Sequence, residues 1–171
     1  MSLIFFIGMP GSGKSYFAHQ VSEEYGFEHV DTDEMIELFE QKSVNEIFEK
    51  EGEAYFRSKE KELLEGILEG EGHYVLISCG GGFPVYNDNL SAMKAYGCVV
   101  YVRANVDTLF DRLKDDDERP LLKGKSRLRE NLEMLLEERE PIYLQADYIV
   151  DAENVTINDF GKIIELCTEQ H

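Results

Sequence analysis

The chain has 171 residues, a length that suits one compact domain with a single hydrophobic core. Its 35 acidic and 17 basic residues give a formal net charge of −18, and such a surface repels nucleic acids and anionic membranes. No apolar run approaches the ~20 residues of a membrane-spanning helix, and the first residues lack the pattern of a signal peptide. We therefore expect a cytoplasmic monomer without nucleic-acid or membrane partners.

Short apolar runs alternate along the chain with longer segments of helical periodicity. Strands are predicted at residues 3–7, 27–30, 74–79, 98–102 and 147–150. Helices are predicted at residues 14–25, 33–39, 43–69, 87–96, 105–113, 126–139 and 156–169. Residues 114–125 carry an acidic run, a proline and a glycine, which is typical of a loop. The alternation predicts an α/β fold with three layers, α/β/α, around a five-stranded parallel sheet.

The cysteines Cys79, Cys98 and Cys167 are odd in number and far apart in the sequence. They show no C-x-x-C spacing and no cluster with histidine, so neither a disulfide framework nor a zinc site is predicted. We expect three reduced thiols. The four histidines are scattered, and no role is assigned to them.

A phosphate-binding motif follows the first predicted strand. The run G-M-P-G-S-G-K-S matches G-x-x-x-x-G-K-[ST] and stands between a predicted strand and a predicted helix. Glycines let successive backbone N–H groups point at phosphate, and the helix amino end adds its positive dipole. Lys14 suits the β- and γ-phosphates, and the Ser15 hydroxyl suits Mg²⁺. The predicted nucleotide contacts are Gly11, Ser12, Gly13, Lys14, Ser15 and Tyr16. The motif predicts binding of ATP with Mg²⁺.

Two carboxylates follow the second predicted strand, in the run H-V-D-T-D. Asp31 and Asp33 are two residues apart, so strand geometry would direct both to one side at the carboxyl edge of a parallel sheet. One could hold water ligands of magnesium while the other accepts a proton from a substrate hydroxyl. Alternatively, both only cap the helix that follows.

Two later segments permit a functional and a simpler interpretation. Arg57 in G-E-A-Y-F-R could hold an anion, or it could lie on an exposed helix face and pair with Glu53 or Glu60. The run I-S-C-G-G-G places Gly80, Gly81 and Gly82 after a predicted strand. Three glycines suit a close approach of backbone to a ligand, although a loose loop is the alternative.

Together these segments resemble the shikimate kinase family, within the P-loop proteins that are similar to nucleoside monophosphate kinases. The matching pieces are G-M-P-G-S-G-K-S, D-T-D, G-E-A-Y-F-R, G-G-G, E-R-P-L-L and E-R-E-P-I-Y, in the order of the family. The resemblance implies one P-loop kinase domain over residues 1–171. It would include a mobile lid at about 113–125 and an acceptor-binding segment at about 31–62.

The resemblance also implies an activity: phosphorylation of the 3-hydroxyl of shikimate by ATP, in the biosynthesis of aromatic amino acids. Asp33 would orient or deprotonate the hydroxyl, and together with Lys14 and Arg119 it would form the catalytic set. Shikimate would be held by Asp33, Arg57, Gly80, Gly81, Gly82 and Arg139, whose two guanidinium groups would grip the carboxylate.

On the nucleotide side, the resemblance assigns Ser15 and Asp31 to the magnesium shell. Arg112 would pack against the adenine, and Arg119 would reach the phosphates from the lid. Two other classes of function compete with this interpretation. One is another small-molecule P-loop kinase, such as a gluconate kinase. The other is a regulatory module that binds nucleotide without catalysis.

Overall fold

The computed structural model describes residues 3–70, 75–114 and 127–170. The strands are β1 Leu3–Ile7, β2 Glu28–Asp31, β3 Val75–Ser78, β4 Gly97–Arg103 and β5 Tyr148–Asp151. The helices are α1 Lys14–Tyr25, α2 Thr32–Glu40, α3 Val44–Lys50, α4 Glu53–Glu69, α5 Asn89–Tyr96, α6 Val106–Leu113, α7 Leu128–Tyr143 and α8 Ile157–Gln170. Within these ranges, no helix combines the length and apolar character that crossing a bilayer requires.

The strands form one parallel sheet in the order β2-β3-β1-β4-β5. Every residue of β1 is buried, because this central strand is covered on both faces and must be apolar throughout. The predicted α/β fold with a five-stranded parallel sheet is confirmed. Since β2, β3 and β1 are neighbours, the segments after their carboxyl ends meet at one edge of the sheet, where such folds bind ligands.

A second, smaller hydrophobic cluster lies apart from the main core. Ile36 of α2, Ile47 of α3 and Phe56 of α4 are buried against one another. They hold the three helices together as a unit that follows β2. This unit fixes the start of α2 and the inward face of α4 relative to each other.

The predicted helix at residues 43–69 is two helices in the structure. The first begins with a capping box, in which Ser43 and Glu46 bond to each other's backbone N–H. The chain then turns at Gly52, whose φ of 87° is open to glycine and costly for other residues. Apolar periodicity continues through both helices, so it did not reveal the break.

The expectation of three reduced thiols is wrong for two of the cysteines. Cys98, at the start of β4, and Cys167, in α8, form a disulfide bond although 69 residues separate them. Their Cα atoms are 5.6 Å apart, because α8 returns to the sheet beside the amino end of β4. Cys79 is free and buried, as expected.

Candidate active site

The phosphate-binding motif forms a tight loop between β1 and α1. Gly11 and Gly13 have φ angles of 82° and 95°, which side chains with a β-carbon rarely adopt. Gly13 is also the N-cap of α1, so the amino end of the helix opens directly onto the loop. A Cβ atom on Gly11 would crowd Leu113 of α6, so both packing and backbone conformation favour glycine at this position.

A cavity of about 410 Å³ opens in front of this loop. It is lined by Gly11, Gly13, Lys14, Ser15, Tyr16, Phe17 and Arg112. Lys14 is buried, and its Nζ donates a hydrogen bond to the carbonyl of Met9 at 2.8 Å. Arg112 donates from Nη1 to the carbonyl of Gly11 at 3.0 Å. Two cations thus stand over a loop that presents backbone N–H groups, an arrangement suited to a polyphosphate.

Ser12 differs from its neighbours in the motif. Its side chain is completely buried and does not line the cavity, and its Oγ has no hydrogen-bond partner in the structure. A nucleotide contact of Ser12 would therefore be made through its backbone. The exposed ring of Tyr16, in contrast, stands at the mouth of the cavity.

Asp31 uses its two carboxylate oxygens for different purposes. Oδ1 accepts from the backbone N–H groups of Asp33 at 3.0 Å and Glu34 at 3.4 Å, so Asp31 does cap α2. Oδ2 accepts from the Oγ atoms of Ser15 and Ser78, each at 2.7 Å. Capping and the predicted ligand role are therefore compatible in one side chain.

The oxygen cluster of Ser15, Asp31 and Ser78 fits a hard divalent cation. Mg²⁺ prefers oxygen ligands and is usually bound through one or two carboxylates with its remaining positions left to water and phosphate oxygens. One carboxylate and two hydroxyls next to the phosphate loop satisfy that requirement. Among the described residues there is no group of three or more His, Cys, Asp or Glu that could enclose a metal by itself.

His29 extends this cluster, although no role was predicted for it. Its Nε2 lies 3.0 Å from Oγ of Ser78. Because Ser78 gives its one proton to Asp31, Nε2 must be the donor in this contact. Burial lowers the pKa of His29, against the opposing effect of Asp31. His29 thus helps to orient the Ser78 hydroxyl towards Asp31.

Arg57 is held rigidly on the inner side of α4. Its Nε and Nη2 donate to Oε1 of Glu53 at 3.2 and 2.9 Å, and its Nη1 donates to Oε2 of Glu60 at 2.8 Å. The ring of Tyr86 lies 4.3 Å from the guanidinium carbon. The side chain is only 9% exposed, so an exposed helix face does not describe Arg57. Arg57 pairs with both Glu53 and Glu60, the two acidic residues that the sequence suggested as alternatives.

Arg139 and Glu60 each carry an unpartnered atom in the interior. Arg139 of α7 is 1% exposed, and its Nε has no hydrogen-bond partner among the residues that the structure describes. Glu60 is completely buried, and its Oε1 likewise has none. Burial raises the pKa of Glu60 to about 7, although Arg57 opposes the shift. Buried polar atoms are normally paired, so these two indicate a site that is completed by a ligand.

The glycine run at residues 80–82 connects these side chains. A Cβ atom on the first glycine would collide with Oδ1 of Asp33, and one on the third would collide with Nη1 of Arg57. On the second glycine it would meet Nη1 of Arg139 and the ring of Pro10 in the phosphate loop. The absence of side chains therefore lets three charged groups and the phosphate loop converge on one strip of backbone.

Comparison with known proteins agrees with this arrangement. The family model described as shikimate kinase matches residues 10–168. The chain belongs to the shikimate kinase family. A shikimate kinase of Persephonella marina is 39% identical over 153 residues, which cover 90% of each protein. As a family member, the chain is an enzyme, a P-loop kinase that uses ATP with Mg²⁺.

Solved structures of shikimate kinases have the same fold. That of Acinetobacter baumannii, in complex with shikimate, matches with a TM-score of 0.88 and 30% identity over 99% of this chain and 94% of that one. That of Bacteroides thetaiotaomicron matches with a TM-score of 0.87 and 32% identity over 96% and 98% of the two chains. The shikimate kinase fold therefore extends over nearly all of this sequence.

Several residues at the site carried no sequence signal of their own. The hydroxyl of Tyr143 donates to the carbonyl of Gly81 at 2.6 Å, and burial raises the pKa of Tyr143 to about 12, so it remains a donor. The N–H of Gly80 donates to Oγ1 of Thr32 at 2.9 Å. Both contacts fix the glycine run. The motifs contain Thr32 and Tyr143, but only the folded chain brings them to it.

One predicted catalytic residue cannot be placed. Arg119 and residues 115–125 of the predicted lid lie outside the described residues. The remaining predicted residues fall into two groups on either side of the phosphate loop: nucleotide-side residues around the cavity, and acceptor-side residues along the glycine run.

Proposed function

We propose that this enzyme transfers the γ-phosphoryl group of ATP to the 3-hydroxyl of shikimate, forming shikimate 3-phosphate and ADP in aromatic amino-acid biosynthesis. One observation carries the proposal: the glycine run lies against Asp33, Arg57 and Arg139, and also against Pro10 of the phosphate loop. The glycine run therefore borders both the phosphate-donor site and a site suited to an anionic polyol. In-line transfer requires this proximity.

On the donor side, the backbone of residues 11–15 would cradle the phosphates. Lys14 would leave the Met9 carbonyl to neutralise the β- and γ-phosphates, and Arg112 would pack against the adenine. Ser15 and Asp31 would hold Mg²⁺, with Ser78 orienting a water ligand. The bound metal supplies charge that stabilises the phosphoryl group as it is transferred.

On the acceptor side, Asp33 would accept the proton of the attacking hydroxyl and hold it in line with the phosphoryl group. Arg57 and Arg139 would bind the substrate carboxylate. Arg57 is already oriented by two glutamates and a tyrosine ring, and Nε of Arg139 is a buried donor that needs an acceptor. Backbone N–H groups of the glycine run would contact the ring hydroxyls. No covalent enzyme intermediate is required.

A coupled ADP-release assay tests this assignment. We expect turnover with shikimate, and little with its methyl ester, quinate, gluconate or nucleoside monophosphates. The ester is the informative comparison, because it keeps the reacting hydroxyl and removes only the charge that the two arginines would bind. Equal rates with acid and ester would contradict the carboxylate site, and a preference for gluconate would indicate a different small-molecule kinase.

We further propose that residues 1–171 form one kinase domain in which 31–62 is the acceptor-binding segment, supported by the small core that unites α2, α3 and α4. We expect a monomer, and we place it in the cytoplasm because ATP is found in that compartment. The net charge of −18 opposes binding to nucleic acids and anionic membranes. Size-exclusion chromatography with light scattering tests the monomer. The lid at 113–125 and the role of Arg119 remain predictions.

A further inference from the structure

We propose that Glu60 takes up a proton when the carboxylate of the acceptor binds between Arg57 and Arg139. This inference rests on the proposed function. It adds that the protonation state of Glu60 in the free enzyme would change when substrate binds. Glu60 would act as a positioning residue, since it would reach the substrate through Arg57. The proton would come from solvent, and no other bond would need to break.

The surroundings of Glu60 are unusually rich in charge for a buried site. Arg57 and Glu53 lie on its own helix, Asp33 faces it from α2, and Arg139 faces it from α7. The nearby thiol of Cys79 stays neutral, because burial raises its pKa well above the ordinary value. Before substrate binds, the charged groups named here are therefore two guanidinium groups and three carboxylates.

A bound carboxylate would add a fourth acid to the three carboxylates and two guanidinium groups named above. Burying one more negative charge without compensation is costly, because little water is left to solvate it. Among the acids already present, Glu60 is the one without exposed surface. It is therefore the group for which loss of charge relieves the largest desolvation cost.

The hydrogen bonds of Glu60 allow this change. Oε2 accepts from Nη1 of Arg57 and can continue to do so in the neutral acid. Within the described part of the chain Oε1 has no hydrogen-bond partner, so a proton there displaces none of the described bonds and creates a donor. Because burial holds the pKa of Glu60 at about 7, adding the proton near neutrality requires only a small further shift.

Proton uptake has a measurable consequence for affinity. Below pH ~6 Glu60 would already be protonated, and shikimate would bind without uptake. Above pH ~7 the free enzyme would hold Glu60 ionised, so binding would require a proton and affinity would fall with rising pH, by up to about tenfold per pH unit. Shikimate itself stays ionised throughout this range.

Isothermal titration calorimetry of shikimate into the full-length enzyme tests the proposal. Titrations at pH ~7.5 in phosphate and in Tris differ in buffer ionisation enthalpy, so the difference in observed heat gives the number of protons taken up. We expect a net uptake of roughly half a proton or more, which disappears at pH ~5.5. Binding with no uptake at pH ~7.5 would overturn the inference and leave the proposed function standing. An absence of shikimate binding would overturn both.

Two glutamine variants identify the group. Glu60→Gln keeps a carbonyl oxygen for Arg57 and cannot titrate, so its uptake should vanish and its affinity should become independent of pH. Glu62→Gln, an exposed glutamate two residues further along α4, should behave as wild type. Unchanged uptake in Glu60→Gln would assign the proton to another group. If that variant does not fold, the wild-type buffer comparison still decides whether uptake occurs.

Discussion

The two halves of the proposed active site, the phosphate loop and the acceptor side, are built in different ways. The phosphate loop is made of consecutive residues, and most of its binding groups are backbone N–H groups at the start of α1. The acceptor side is made of charged side chains from separate elements, namely Asp33 of α2, Arg57 and Glu60 of α4, and Arg139 of α7. One half is local in sequence and opens to a cavity, whereas the other is assembled by packing and is largely buried.

Because of this difference, we expect substitutions in the two halves to affect activity and stability differently. Truncating a side chain of the phosphate loop, such as that of Lys14, removes a contact with nucleotide, while the glycines that set the backbone conformation remain in place. On the acceptor side Arg57 pairs with both Glu53 and Glu60, so removing a member of this group leaves a buried charge uncompensated. We therefore expect loss of activity without loss of stability on the first side, and combined losses on the second.

The largest expected effect is that of Lys14→Ala on the phosphate loop. Removing the cation of Lys14, which would lie next to the β- and γ-phosphates, should lower kcat/KM by about 10³-fold or more, because charge stabilisation during transfer is lost. The circular dichroism spectrum and the unfolding midpoint should stay close to wild type. Lys61→Ala, an exposed lysine on α4, is the control. Near-normal turnover of Lys14→Ala would contradict the nucleotide assignment.

Asp33→Asn should come next, because it removes the proton acceptor and keeps the shape of the side chain. We expect a decrease in kcat of about 10²- to 10³-fold with unchanged binding of a non-hydrolysable ATP analogue, measured by calorimetry. The neighbouring exposed Glu34→Gln serves as control. A parallel loss of nucleotide affinity would show that Asp33 supports the phosphate loop and not the acceptor.

Gly82→Ala probes the contact between the glycine run and Arg57. The new methyl group would displace Nη1, so we expect KM for shikimate to rise about tenfold or more while KM for ATP stays constant. Gly66→Ala is matched to it, since a Cβ atom there meets nothing within 4 Å. In the middle of α4 this control should stabilise the fold by about 0.5–1 kcal/mol. Equal KM values in both variants would refute the packing argument.

The smallest expected effect concerns stability and pH. Burial raises the pKa of Glu60 from 4.5 to about 7, so the folded chain holds this proton more tightly than the unfolded chain. Its contribution to the free energy of unfolding is complete below pH ~4.5 and is lost as pH rises through about 7. Relative to Glu60→Gln, wild type should lose on the order of 1 kcal/mol between pH ~6 and ~8 in urea denaturation. Parallel curves for the two proteins would contradict the assigned pKa.

The sequence predicted the position and conformation of the phosphate loop well, because both depend on adjacent residues. G-x-x-x-x-G-K-[ST] specifies backbone conformation, helix start, cation and hydroxyl in one stretch, and the structure has each of them there. From the residues alone, Asp31 was predicted as either a helix cap or a ligand, and the family resemblance then assigned it to the magnesium shell. The structure allows both, because the two oxygens of the carboxylate point to different partners.

The residues of the acceptor side could be predicted through the family resemblance. Their burial and their contacts with one another could not. Arg57 and Glu60 were visible as a helical pair, yet burial cannot be read from spacing on one helix, since it depends on what packs there. The same limit explains the Cys98–Cys167 bond, which joins residues that are distant in sequence and close in space. It also explains why the role of His29 beside Ser78 was missed.

The charged residues proposed for the acceptor side were assigned to it only through the resemblance to the family. By itself, therefore, the sequence determined the alternation of strands and helices and the position of the phosphate loop. These features follow from local conformational preference and from residue chemistry, which act over a few neighbouring positions. Only the tertiary structure decided which charges are buried together, that Glu60 has a pKa of about 7, and that the glycine run is the surface on which they meet. Desolvation is a property of packed surroundings, and no single segment of the chain contains them.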